Sequence, residues 1–191
     1  MGMRFTAFVA LLCGVCLWAA CRPAAAPVSV SNRPVSINDR PTSNAPKPPA
    51  KPMAEMSWTD QQGQLQRVAD LQGKAVILDF WATYCPPCRE EIPHLNSLLA
   101  QHGGDKLAII GLNVGGSDDK PEIPKFLKQT KLDYPLAFPD NALVDYIIAE
   151  RDDIPQTLVL DRNGQIVDKF VGFGPAIQRD LDAAVDRALS N

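Results

Sequence analysis

The sequence, 191 residues long, predicts an α/β fold, a mixed central sheet flanked by helices on both faces. Three observations carry that expectation. Two near-continuous apolar runs, Ala75–Ala82 and Leu107–Val114, read as buried strands, and each leads into a helical segment. Asn163-Gly164 stands between two strand-like runs and marks a tight antiparallel hairpin. Pro175–Leu189 then places Ile177, Leu181, Ala184, Val185 and Leu189 on one face of a terminal helix.

The elements follow in order. Asp60-Gln61-Gln62-Gly63-Gln64 is a turn between two short strands. Ala75–Ala82 is the buried centre of the sheet. A helix runs from Pro86 to Gln101, opened by proline and closed by Gly103-Gly104. Pro93 removes a hydrogen bond inside it and predicts a kink. Leu107–Val114 is the next strand, and Lys120–Thr130 a helix with Pro124 in its first turn. Leu136-Ala137-Phe138 is a short strand, and Asn141–Ala149 a further helix. Thr157–Asp161 and Gln165–Val171 form the hairpin before the terminal helix. There is no internal repeat.

The N-terminus has a different character. Arg4 precedes an apolar stretch from Phe5 to Ala20, which suits a signal-peptide core better than a membrane span. Residues 1–20 are therefore read as a signal peptide. Ala19-Ala20-Cys21 resembles a bacterial lipobox, which makes Cys21 the lipidated residue. Ordinary secretion with cleavage near Ala20 and an uncleaved anchor are the alternatives. Cys13 and Cys16 fall inside the signal core and are discarded with it. Residues 21–53 form a proline-rich, disordered tether: residues 22–53 hold eight prolines and few large apolar side chains. They carry five basic residues and one acidic; residues 54–191 carry 13 basic and 21 acidic. An acidic domain of this kind argues against nucleic-acid binding.

The mature chain then keeps Cys21, Cys85 and Cys88. Cys85-Pro86-Pro87-Cys88 follows the first buried strand directly. A pair closing so small a loop restrains little unfolded-chain entropy, so its purpose is redox rather than structural. Cys85 sits at a helix N-terminus, where free N–H groups and the helix dipole favour a thiolate; it is the attacking thiol. Cys88, one turn inward, resolves the mixed disulfide. Pro86 and Pro87 remove two backbone donors, which weakens thiolate stabilisation and leans toward a reducing protein. Asp79, in an otherwise apolar strand, and Glu91, one turn past Cys88, are the candidate proton-transfer acids. The bland alternatives are a water-facing edge position for Asp79 and a solvated helix face, beside Glu90, for Glu91. His94 and His102 read as helix-surface residues. No second cysteine pair or spaced histidine completes a metal site, so no metal or cofactor is expected.

Phe80-Trp81-Ala82-Thr83-Tyr84-Cys85-Pro86-Pro87-Cys88-Arg89-Glu90-Glu91-Ile92-Pro93 resembles the active-site segment of the TlpA/ResA group of membrane-tethered thioredoxins. Ile154-Pro155-Gln156-Thr157 is similar to that group's cis-proline loop. The resemblance covers about Trp58 to Leu189. It implies a thioredoxin-like fold over residues 54–191, with an extra strand-helix insert between the Cys-x-x-Cys unit and the cis-proline hairpin. It implies that Asp79 matches the buried aspartate of thioredoxins and Glu91 the active-site glutamate of the ResA type. Pro155 is then cis, and Trp81, Tyr84, Pro86, Pro87, Ile154 and Pro155 shape the substrate-docking surface. Tyr84 stands where the group commonly has Trp.

The implied function is thiol:disulfide exchange outside the cytoplasm of a bacterium, by a lipoprotein facing the periplasm or cell exterior. The substrates are disulfides of exported proteins, for example apocytochrome c or metal-site cysteines. The electron donor is a membrane thiol carrier of the CcdA/DsbD kind, and the chain acts as a monomer. Three rivals are a thiol peroxidase, a copper-delivery protein and a disulfide-forming oxidant. A peroxidase wants Pro-x-x-x-Thr-x-x-Cys, which Cys85 lacks. Copper delivery wants a cysteine pair spaced by three residues. The oxidant uses the same residues at the opposite potential.

Overall fold

The computed structural model describes residues 51–191. The residues expected to form the signal peptide, Cys21 and nearly all of the expected tether lie outside the described residues. Lys51 and Met53 belong to the packed domain: Lys51 Nζ is 2.7 Å from Asp140, and Met53 joins the core. The folded part thus reaches upstream of the expected start at residue 54. No helix among the described residues is long and apolar enough to cross a membrane.

The strands are β1 (Ser57–Asp60), β2 (Leu65–Arg67), β3 (Ala75–Trp81), β4 (Leu107–Asn113), β5 (Leu136–Pro139), β6 (Gln156–Leu160) and β7 (Ile166–Val171). The helices are α1 (Pro86–His102), α2 (Ile123–Gln129), α3 (Asn141–Ile148) and α4 (Pro175–Ser190). Short 3-10 turns at Met53–Glu55 and Val68–Leu71 were not anticipated, and a third, Lys120–Glu122, forms the start of the segment expected as one helix. A residue such as Pro124, at the first turn of α2, lacks the N–H that would extend the helix backward.

All strands join one sheet in the order β2-β1-β5-β4-β3-β6-β7. β3, β4 and β5 run parallel; the remaining pairings are antiparallel. This is the mixed α/β sheet of a thioredoxin-like fold. The strand of the extra unit, β5, lies between β4 and β1, and its helix α3 supplies Leu143 and Ile147 to one face of the core.

Alternation along β3 divides the core. Val76, Leu78 and Phe80 pack with Trp58, Leu143 and Ile147. Ala75 and Ile77 pack with Leu95 and Leu98 of α1 and Leu181, Ala184 and Val185 of α4. Asp79 shares the parity of Ile77 and so points to the α1 side. Strand β3 is central, which is why every one of its residues is buried.

Gly111 on β4 stands opposite Asp79 in the parallel pairing. A Cβ there would come within 3.0 Å of the Tyr134 ring, 3.2 Å of Trp81 Nε1 and 3.3 Å of Leu132. The missing side chain lets two aromatic rings close over the strand. Gly111→Ala is expected to cost about 1–3 kcal/mol of unfolding free energy through overpacking. Gly104→Ala, where nothing lies within 4 Å, is expected to change stability by less than about 0.5 kcal/mol. Urea unfolding of the two variants checks this contrast.

Candidate active site

The C-terminal end of β3 delivers the chain to α1 through Ala82, Thr83 and Tyr84. Cys85 is the N-cap of α1, and Pro86 and Pro87 occupy its first two positions. Because neither proline has an N–H, the first donor of the helix is Cys88, and it donates to Cys85 Sγ at 3.2 Å. The two cysteines form a disulfide with Cα atoms 5.4 Å apart. Cys85 is 4 % exposed and Cys88 1 %, so the attacking sulfur is the more accessible. Reduced, Cys85 keeps that N–H and the helix dipole as its local support.

The approach to Cys85 is braced by a residue that sequence reasoning missed. Asp119, buried, accepts from Thr83 N at 3.0 Å, from the Thr83 hydroxyl and from Asn113 Nδ2 at 2.7 Å. It fits there because Gly115 has no side chain; a Cβ would come within 2.4 Å of Asp119.

Two buried acids, Asp79 on β3 and Glu91 on α1, lie near one another. Asp79 is 1 % exposed and accepts a hydrogen bond from the Tyr134 hydroxyl at 3.0 Å. Glu91 is equally buried and accepts from the Thr157 hydroxyl at 2.5 Å. Asp79 and Thr157 are register partners across β3 and β6. The four side chains therefore form one buried polar group, with Glu91 one helical turn beyond Cys88. Asp79 Oδ1 and Glu91 Oε2 have no hydrogen-bond partner among the described residues, which leaves each acid an oxygen able to hold a proton. Among the described residues neither carboxyl is hydrogen-bonded to a sulfur.

Burial dominates the electrostatics. Loss of solvent pushes Asp79 from 3.8 to about 7, although the Tyr134 hydrogen bond opposes the shift. Glu91 is raised well above its usual range by burial and then by the neighbouring Asp79 charge, against the Thr157 hydrogen bond. Tyr134 is raised too, chiefly by burial, so its hydroxyl remains a donor. Two acids near one another with raised proton affinity can hold and pass a proton near neutral pH.

Other expected residues fall as follows. Tyr84 is 68 % exposed beside Cys85, and Pro86 is exposed with it. Pro87 and Ile154 are half-buried, and Ile154 packs on the cluster containing both cysteines. The Ile154–Pro155 peptide is cis, and Pro155 is buried. Gln156, also missed, holds the preceding loop by donating to the carbonyls of Arg151 and Asp153 at 2.8 and 2.9 Å. Two readings are corrected. Trp81 clusters with both cysteines and stacks on Phe126 with ring centroids 4.6 Å apart; being fully buried, its side chain offers no exposed face and can shape the surface only from within. His94 is no surface residue: its Nε2 lies 2.8 Å from Asp182 of α4, and its ring packs against Phe173.

A Cys-x-x-Cys disulfide at a helix N-terminus on this sheet, with two buried acids near it in the fold, defines a thioredoxin-like thiol–disulfide oxidoreductase. The chain belongs to the AhpC/TSA family, which it matches over residues 49–169. It is 32 % identical over 126 residues to the thiol-disulfide oxidoreductase ResA of Geobacillus kaustophilus, covering 65 % of this chain and 68 % of that one. It is 32 % identical over 112 residues to the thioredoxin-like protein YneN of Bacillus subtilis, covering 58 % and 64 %. A solved thiol:disulfide interchange protein of Chlorobium tepidum superposes with a TM-score of 0.58 at 28 % identity, covering 73 % of this chain and 98 % of that one.

The acids make stability depend on pH with a definite sign. Folded Asp79 holds its proton to about pH 7, whereas an unfolded aspartate releases it near 3.8. The folded state binds more protons across that window, so its stability falls as pH rises from about 4 to about 7. Asp79→Asn keeps an acceptor for Tyr134 and removes the charge. Urea unfolding should show the variant more stable than the parent at pH 8, by on the order of a few kcal/mol, with little difference at pH 4. Equal pH slopes in the two proteins would contradict the assignment.

Proposed function

We propose that this protein is an exported, lipid-anchored reductant of protein disulfides. The observation that carries the reductive direction is the proline pair: it leaves a single helix N–H, that of Cys88, on Cys85 Sγ. A thiolate with few donors is less stabilised, and the dithiol form then gives up its electrons more readily.

The cycle balances in thiols. The Cys85 thiolate attacks one sulfur of a substrate disulfide, and the other substrate sulfur leaves as a thiolate and takes a proton. Cys88 gives its proton to the buried acid pair and attacks Cys85 Sγ. The second substrate sulfur leaves, and the Cys85–Cys88 disulfide forms. The substrate gains two electrons, and the protein loses two. A membrane dithiol carrier of the CcdA/DsbD kind restores the dithiol by the same exchange. Tyr84, Pro86, Pro87, Ile154 and Pro155 are the residues against which the substrate chain docks. The resemblance of Phe80–Pro93 to the active-site segment of the TlpA/ResA group is the ground for naming cysteines of apocytochrome c, or of metal sites, as targets. The lipobox-like Ala19-Ala20-Cys21 supports anchoring through Cys21, with residues 22–50 as tether.

The equilibrium reduction potential of Cys85–Cys88 at pH 7, set against defined thiol/disulfide buffers, tests the direction. A reductant gives a value at or below about −220 mV. A value near about −120 mV, that of a strong oxidant, would make this protein a disulfide donor instead.

A further inference from the structure

A groove of about 260 Å³ opens beside Cys85, between the loop that carries Tyr84 and helix α2. Its walls are Tyr84, Arg89, Glu122, Lys125, Phe126 and Gln129. Tyr84 is the large exposed aromatic adjoining the nucleophile. Arg89 is the group that gives the groove its chemistry. Its guanidinium lies over the Phe126 ring with Cζ 4.4 Å from the centroid. Nη2 donates to the Thr83 carbonyl at 2.9 Å, and Nη1 to Gln129 Oε1 at 3.3 Å and Thr130 Oγ1 at 3.5 Å. Every acceptor is neutral, and no carboxylate pairs with Arg89 among the described residues. Lys125 has only a loose contact, 4.0 Å, with Glu122, and both side chains are largely exposed.

The groove therefore carries two cations, Arg89 and Lys125, against one carboxylate, Glu122, on a domain with 13 basic and 21 acidic residues. A guanidinium held in place by four contacts has lost its conformational freedom already, so a carboxylate that meets it gains charge-assisted hydrogen bonds at small entropic cost. Arg89 stands four residues past Cys85, about 6 Å along the helix axis. An extended peptide covers about 7 Å in two residues. A side chain one to three residues from a substrate cysteine bound at Cys85 reaches the guanidinium.

We propose that this groove is a specificity subsite for an acidic segment of the substrate: a Glu or Asp close in sequence to the reactive cysteine, its methylenes against exposed Tyr84 and its carboxylate on Arg89, with Lys125 adding charge. The proposal rests on the reading that Cys85 exchanges with protein disulfides, and it names the class of sequence preferred.

The test compares reduction of synthetic peptide disulfides that differ only in one residue, Glu, Gln or Lys, two positions from the cysteine. The uncharged hydroxyethyl disulfide is run in parallel. The reduced full-length protein should favour the Glu peptide over the Lys peptide by about tenfold in kcat/KM, mostly through KM, and added salt should shrink the ratio. Arg89→Lys, which keeps the charge and loses the planar fork, should cut the Glu/Lys ratio severalfold. Lys125→Gln, on an exposed side chain, should reduce it by a smaller factor and covers the case in which the Arg89 variant folds poorly. Normal turnover of hydroxyethyl disulfide with equal kcat/KM for all three peptides would overturn the subsite alone. Failure to reduce any of the four disulfides would overturn the oxidoreductase reading and the subsite with it.

Discussion

Two carboxyls buried between α1 and the sheet set the terms for the rest of this structure. A charge taken out of water is costly unless it is neutralised or hydrogen-bonded. Asp79 and Glu91 are each given one hydroxyl donor, from Tyr134 and Thr157, and each keeps a free oxygen. Meeting those needs draws on much of the fold. β3 carries Asp79, α1 carries Glu91, β6 carries Thr157, the segment before β5 carries Tyr134, and β4 contributes the gap at Gly111. Kept out of water, the pair favours its protonated forms, with Glu91 one helical turn beyond Cys88.

The two cysteines receive different treatment from the same helix. Cys85 lies at its mouth beside exposed Tyr84 and takes the one N–H that Pro86 and Pro87 leave available. Cys88 lies a turn deeper, close to Glu91 and nearly sealed from water. The first sulfur is the more accessible of the two; the second is enclosed on the buried face of the helix that also carries Glu91. Trp81 and Phe126 stack on one another in the same apolar cluster as both cysteines. Asp119 holds Thr83 and so fixes the approach to the nucleophile.

Much of this was legible in the order of residues. The periods of the strands and helices, the proline at the start of α1 and the Asn-Gly turn locate the elements to within a few residues. The burial of Glu91, as against exposed Glu90, was readable too: Cys88, Glu91, Ile92, Leu95 and Leu98 share the i, i+3, i+4 stripe that faces the sheet. Parity along β3 likewise sends Asp79 toward α1. Tyr134, Thr157 and Asp119 were harder, because each acts through a partner 55, 66 or 36 residues away, and no local period reports such pairings. Trp81 packs in one cluster with both cysteines, beside the motif as its position in the sequence suggests, but its place on the central strand leaves it no exposed face. The 3-10 turns carry too short a pattern to be seen.

The claim that the acid pair handles the proton of Cys88 is tested most directly by the resolving step itself. The rate at which Cys88 releases product from a mixed disulfide at Cys85 would be followed by stopped flow from pH 5 to 9, for the parent, Asp79→Asn and Glu91→Gln. The account predicts a parent profile that changes near pH 7, with a rate loss of about tenfold or more and a displaced midpoint in each variant. Identical rates and midpoints in all three proteins would contradict it.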